Sequence, residues 1–189
     1  MRRICGPTLL GLALAFSCGG PAAAGDFDLS LNSHAVRASY GTPLGDGLRL
    51  EGGWLHDSDE GDVAHAGLLV TGDAAQGSQK LTAGVGVRLA YFAGEGNDRD
   101  GYALGIGGAL RWIVPRNDRF AVSGELYWAP DILSGGDAEE YLDGTVRLGY
   151  RVLPQAEIYL GARYVGADYD NRPSIRFDTG LHAGFNLRF

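Results

Sequence analysis

The chain has 189 residues, enough for one domain, with 31 glycines and a single methionine. Its formal charge is −7 and no stripe of Lys or Arg runs along it, which argues against a nucleic-acid surface. Its two cysteines, Cys5 and Cys18, both lie near the amino end.

That end reads as a secretory leader. Arg2 and Arg3 precede an apolar run over 9–16, and Ala22-Ala23-Ala24 follows as a small-residue cleavage site. The run is too short to span a bilayer. Ala15-Phe16-Ser17 before Cys18 lacks the pattern of a lipoprotein site. Residues 1–24 are therefore expected to be removed, leaving a barrel domain over 25–189. Its formal charge is then (16 − 2) − 23 = −9. Both cysteines leave with the leader, so the remaining chain has no thiol for a disulfide, a metal or a nucleophile.

Beyond the leader, alternating segments are separated by turn-rich or acidic connectors. Strands are predicted near 26–32, 35–41, 48–56, 63–72, 80–93, 101–113, 120–130, 140–152, 156–166 and 174–189. The clearest puts Leu81, Ala83, Val85, Val87, Leu89 and Tyr91 on one face, with Lys80, Thr82, Gly84, Gly86 and Arg88 on the other. Segments of about ten alternating residues, repeated, are the signature of a transmembrane β-barrel. No stretch is long and apolar enough for a spanning helix. The predicted fold is all-β: an up-and-down antiparallel transmembrane barrel of ten strands, or of eight if 26–41 is not a hairpin.

With the last strand ending in the periplasm, each connector is assigned a side. Outward connectors are 57–62, 94–100, 131–139 and 167–173; inward ones are 42–47, 72–79, 114–119 and 153–155. Trp54, Tyr91, Tyr102, Trp128, Tyr164 and Phe177 then face lipid near the outer interface. Tyr40, Trp112, Phe120, Tyr150 and Phe189 do so near the inner one. Two aromatic belts around an aliphatic band match a bilayer, and the destination is the bacterial outer membrane. The acidic connectors 57–62 and 94–100 are either solvated loops or sites for divalent cations shared with lipopolysaccharide.

The opposite face of the strands carries the polar residues. Asp28, Arg37, Arg49, Glu51, His65, Lys80, Arg88 and Arg188 fall there. So does a set read as a polar lumen network: Arg111, Glu125, Asp143, Arg147, Arg151, Glu157, Arg163, Arg176 and Asp178. Across the turn at Leu153-Pro154-Gln155, Arg151 is expected opposite Glu157, and Tyr159 opposite Gly149. The set either fills the lumen with salt bridges or lines an anion-preferring path. Small barrels are filled by their own side chains, which favours the first.

Catalytic patterns are thin. His56-Asp57-Ser58 bears a faint likeness to the His-x-Ser pair of outer-membrane lipid A deacylases, where the histidine is base and the serine nucleophile. His56, however, is in phase with the lipid-facing Trp54, and Ser58 falls in a connector, so no enzyme is expected. His34, His65 and His182 have no metal-ligand spacing, and nothing points to a cofactor.

From Ile175 onward every second residue is apolar or small, up to Phe189. His182, Gly184, Leu187 and Phe189 match the terminal signal that outer-membrane barrels present to their assembly machinery. Outer-membrane lipid, lipopolysaccharide and that machinery are the expected partners.

Glu125-Leu-Tyr-Trp-Ala-Pro-Asp-Ile-Leu-Ser134, Tyr141, Arg147-Leu-Gly-Tyr-Arg-Val-Leu-Pro-Gln-Ala156 and Ile158-Tyr-Leu-Gly-Ala-Arg-Tyr164 resemble the YfaZ family of outer-membrane proteins. The resemblance implies an exported barrel and supplies no catalytic residues. The function expected is that of a structural or interaction barrel with a side-chain-filled lumen. A narrow anion-preferring channel comes second and a lipid-modifying enzyme third.

Overall fold

A computed structural model describes residues 24–75, 80–94, 100–136, 138–169 and 172–189, the side chains at 172 and 173 excepted. Most of the predicted leader, the centre of connector 94–100 and part of connector 72–79 lie outside the described residues.

Ten long antiparallel strands form the wall. They are β1 (Asp26–Leu31), β2 (Ala35–Gly45), β3 (Leu48–Asp57), β4 (Gly61–Asp73), β5 (Lys80–Gly94), β6 (Asp100–Ile113) and β7 (Phe120–Ala129). A three-residue strand, β8 (Ser134–Gly136), then precedes β9 (Ala138–Leu153), β10 (Ala156–Tyr169) and β11 (Arg172–Arg188). Each long strand pairs with its neighbours in order, β7 with β9, and β1 with β11 closes the barrel. Closure lets the backbone groups of a spanning strand find partners, as a bilayer demands.

The choice between eight and ten strands is settled at Asn32. Its side-chain Oδ1 accepts from the N–H groups of His34 (2.8 Å) and Ala35 (2.6 Å), folding 32–34 into a tight turn. β1 and β2 are thus two strands, paired Leu31 to Val36 and Asp26 to Gly41.

The barrel is apolar outside. Val85 is 70% exposed and Leu181 82%, and Leu89, Ile106, Leu126, Val146 and Leu160 also point out. Trp54, Tyr91, Tyr102, Trp128 and Tyr164 project outward at the end away from the termini. Indoles there are anchored: Trp54 donates to Asp62 (3.0 Å) and Trp128 to Glu140 (2.6 Å). At the other end Phe120 and Tyr150 pack at 5.1 Å, and Tyr40 and Phe189 at 6.3 Å. This terminal end also carries the two-residue turns 46–47 and 154–155, as the periplasmic side of such barrels does.

One belt residue is misassigned by alternation. β10 pairs Val165 with Asp178 but Gly166 with Arg176, so a bulge at Phe177 adds one residue to β11. An extra residue reverses the phase of everything beyond it. Ile175 and Phe177 therefore point into the lumen, Phe177 being fully buried, and Arg176 points outward into solvent. Both Phe177 as a lipid-facing aromatic and Arg176 as a lumen residue are corrected here.

Candidate functional site

The lumen has three layers, set by the order of inward residues along each strand. At the loop end it is apolar. Leu55 from β3, Val63 from β4, Phe92 from β5, Tyr141 from β9, Val165 from β10 and Phe177 from β11 meet across the barrel. Phe92 is the hub. It stacks on Tyr141 (5.5 Å, 7°), tilts against Phe177 (5.7 Å) and meets Tyr169 edge-on (6.4 Å). Leu133, in the short 3-10 turn Asp131–Leu133, packs against this plug. Ala90, Ala103, Ala129 and Ala167 are small, which leaves room for the rings.

Beneath the plug lies an ionic layer. Arg88, 1% exposed, donates to Asp143 (2.8 Å), to Glu125 (3.1 Å) and to Glu51, with its guanidinium 3.8 Å from the centre of the Tyr127 ring. Arg37 reaches the same Asp143 at 3.3 Å. Arg163 donates to Asp178 (2.5 Å) and to Ser30 (3.0 Å), and Asn32 donates to Asp178 (2.6 Å). A buried ion is tolerated only when paired and hydrogen-bonded. Here three strands supply carboxylates around one guanidinium.

The terminal end is an open vestibule of about 520 Å³. Arg111 pairs with Glu157, which Arg188 also approaches at 3.8 Å; Arg49 pairs with Asp26. Arg147 donates to Asp28 (3.0 Å) and lies over the Tyr159 ring, whose hydroxyl donates to the same Asp28 (2.7 Å). Nε of Arg147 and Oδ1 of Asn186 are buried with no protein partner among the described residues, as are Nε of Arg37 and Nη2 of Arg163 in the ionic layer and the Tyr141 hydroxyl in the plug.

Of the predicted network, Arg111, Glu125, Asp143, Arg147, Glu157, Arg163 and Asp178 sit in these two layers. Arg151 stands opposite Glu157 in the ladder, and Tyr159 opposite Gly149, as expected. Its ion pair goes instead to Asp118, in the 114–119 turn, at 3.9 Å. Arg176 is outside. The apolar plug is absent from the predicted network. Its signal was present in phase: Leu55 follows Glu51, Val63 precedes His65, and Phe92 follows Arg88 on the inward face.

Two residues of the C-terminal signal also shape the lumen. His182 is buried and meets the Tyr159 ring edge-on at 5.9 Å. At Gly184 a Cβ would come within 2.5 Å of the Tyr159 hydroxyl and of the Leu29 carbonyl oxygen, so only glycine fits. Leu187 and Phe189 point outward.

The His-x-Ser pair takes other partners. The His56 ring stacks on Trp54 (5.6 Å), and its Nδ1 is 3.0 Å from Asp62. The Ser58 N–H donates to the His34 carbonyl (3.0 Å). Asp57 Oδ1 accepts from the N–H groups of Asp59 and Glu60, shaping the turn. Among the described residues no hydrogen bond joins His56 to Ser58, and no group of three or more His, Cys, Asp or Glu is placed to hold a metal ion.

Comparison with known proteins agrees with this architecture. The model of the family described as YfaZ precursor matches residues 1–189. A relative, outer membrane protein YfaZ of Escherichia coli (strain K12), is 34% identical over 157 residues, which cover 82% of this chain and 81% of the relative. The chain belongs to the YfaZ family and is a closed ten-stranded β-barrel of the outer membrane.

Proposed function

We propose that this barrel works as a structural or interaction protein of the outer membrane and conducts no steady current. The observation that supports this is the Phe92 cluster, which draws rings from β5, β9, β10 and β11 into contact across the lumen. A pore needs a continuous wet path, and a constriction of aromatic and aliphatic side chains excludes water. The ionic layer beneath adds a second barrier, because Arg88 is held by three carboxylates.

Outward, the anchored indoles and the aliphatic band suit contact with lipid and lipopolysaccharide. The C-terminal strand is the element offered to the assembly machinery. An enzymatic role has little support, since His56 is engaged by Trp54 and Asp62.

Planar-bilayer recording of the refolded protein tests the reading. It predicts a silent membrane at moderate voltage. Large, stable openings would overturn it in favour of a narrow channel, with the arginines of the vestibule favouring anions.

A further inference from the structure

The open end of the lumen has two unlike walls. On one side Leu69 and Thr71 of β4, Thr82 and Gly84 of β5, Ala109 of β6 and Ser123 of β7 are uncharged, and most of them are small. On the other, β1, β3, β9, β10 and β11 supply ion pairs. The vestibule between them, about 520 Å³, falls within the roughly 300–1,000 Å³ of sites that hold small molecules. The plug and the ionic layer close it from behind, which makes it a cup with its mouth at the terminal end.

The side-chain charges of the cup balance. Among the described residues four arginines and five acids line it, and Arg88, held behind Glu51 and Glu125, is the fifth cation. A lone anion or cation entering would upset that balance, whereas a molecule carrying both charges would not. Two of the charges are also set apart. In the β6–β7 ladder Arg111 pairs with Ser123, and Ala109 with Glu125. Arg111 and Glu125 are thus diagonal neighbours, roughly 7–8 Å apart at the backbone, with small residues on the other diagonal. Among the described residues no ion pair joins them: Arg111 reaches across the lumen to Glu157, and Arg88 donates to Oε2 of Glu125 at 3.1 Å. Both keep a face toward the cup, Arg111 being 25% and Glu125 28% exposed, against 2% for Asp143.

We propose that the vestibule is a binding cup for a small zwitterion, with its ammonium on Glu125 and its phosphate or carboxylate on Arg111. Guanidinium forks suit such anions, and bonds between charged partners are the strong ones. Thr82 and Ser123 flank Arg111 in the ladders on either side, so their hydroxyls donate to the same anion. Arg188, 3.8 Å from the Glu157 that Arg111 also holds, adds a second guanidinium at the mouth. The body of the ligand lies over Ala109 and against the uncharged wall. Two sources share this chemistry: an ethanolamine lipid head group reaching in from the periplasmic leaflet, and a free amino acid. The cup needs no through path, so its occupancy is independent of whether the plug leaks.

The test is calorimetric titration of the protein extracted from the outer membrane into a non-ionic detergent. The probes are glycerophosphoethanolamine, alanine, glycerol phosphate and ethanolamine. At least one of the two zwitterions should bind about tenfold more tightly than either singly charged probe. Equal binding of glycerol phosphate would overturn the bipolar ligand, and no binding of either zwitterion would overturn the site. Dihexanoyl phosphatidylethanolamine separates the sources: if it binds most tightly the lipid is supported, and if alanine does, the free amino acid. Glu125→Gln should erase the advantage of the zwitterion while glycerol phosphate still binds; an advantage that survives would overturn the role of Glu125. Because Glu125 also holds Arg88, a second variant leaves every ion pair in place. Ser123→Leu fills the space between Arg111 and Glu125 and should abolish binding, and unchanged affinity in it would overturn the placement.

Discussion

At the loop end of the lumen, Phe92 touches three aromatic rings and the space is filled. At the terminal end, Arg111, Arg147 and Arg49 stand in ion pairs around a vestibule of about 520 Å³. The same fold supplies both halves, with inward residues alternating along the same strands. The difference lies in side-chain chemistry. Apolar side chains pack without needing partners, so they exclude water. Charged ones need acceptors and hydration, so they hold a space open unless every group is satisfied, as around Arg88.

The largest expected effect comes from removing the charge at the boundary between the halves. Arg88→Met leaves Glu51, Glu125 and Asp143 facing one another without their shared cation, at a cost of about 5 kcal/mol. Urea unfolding in detergent micelles should show it, and a second change, Asp143→Asn, should return part of the loss. No loss of stability would mean that the ionic layer is hydrated and not a seal.

Phe92→Ala comes next, at about 4 kcal/mol, because it empties the centre of the plug. This variant should also admit small solutes that the unmodified barrel excludes. If it destabilises without admitting them, the ionic layer alone suffices as a barrier.

Val85→Arg places a charge on the lipid face and should cost about 2–4 kcal/mol. Thr82→Arg, on the inward face of the same strand at the vestibule, should cost less than about 1 kcal/mol. Measuring both in one refolding series separates wall from lumen, and a reversed order would contradict the assignment of faces.

How much of this was legible follows from what alternation can carry. Period-two patterning placed the strands, the belts and most of the ionic residues, because it reports which face a side chain takes. It placed Leu55, Val63 and Phe92 inward too, by phase with Glu51, His65 and Arg88. An expectation that inward means polar hid them as a plug. Phe177 and Arg176 were beyond reach, since the bulge beside Val165 and Gly166 leaves no trace in a strand that alternates on both sides of it. Ion-pair partners were only half legible. Arg151 stands opposite Glu157 in the ladder, yet its side chain reaches across to Asp118 in a neighbouring turn.

The smallest expected effect concerns the outer surface. Replacing His56 and Ser58 together with alanine should leave the lipid A of the host unchanged by mass spectrometry, since no hydrogen bond joins the two among the described residues. An acyl chain whose loss depends on these residues would restore the enzymatic reading.

The claim that one end is sealed and the other open is tested most directly by thiol labelling. With Cys5 and Cys18 both replaced by serine, single cysteines can be placed by Ser123→Cys in the vestibule and Ala103→Cys in the plug. In refolded vesicles a small water-soluble maleimide should modify the first rapidly from the terminal side and the second from neither side. Rapid modification of Ala103→Cys in an otherwise stable barrel would contradict the account.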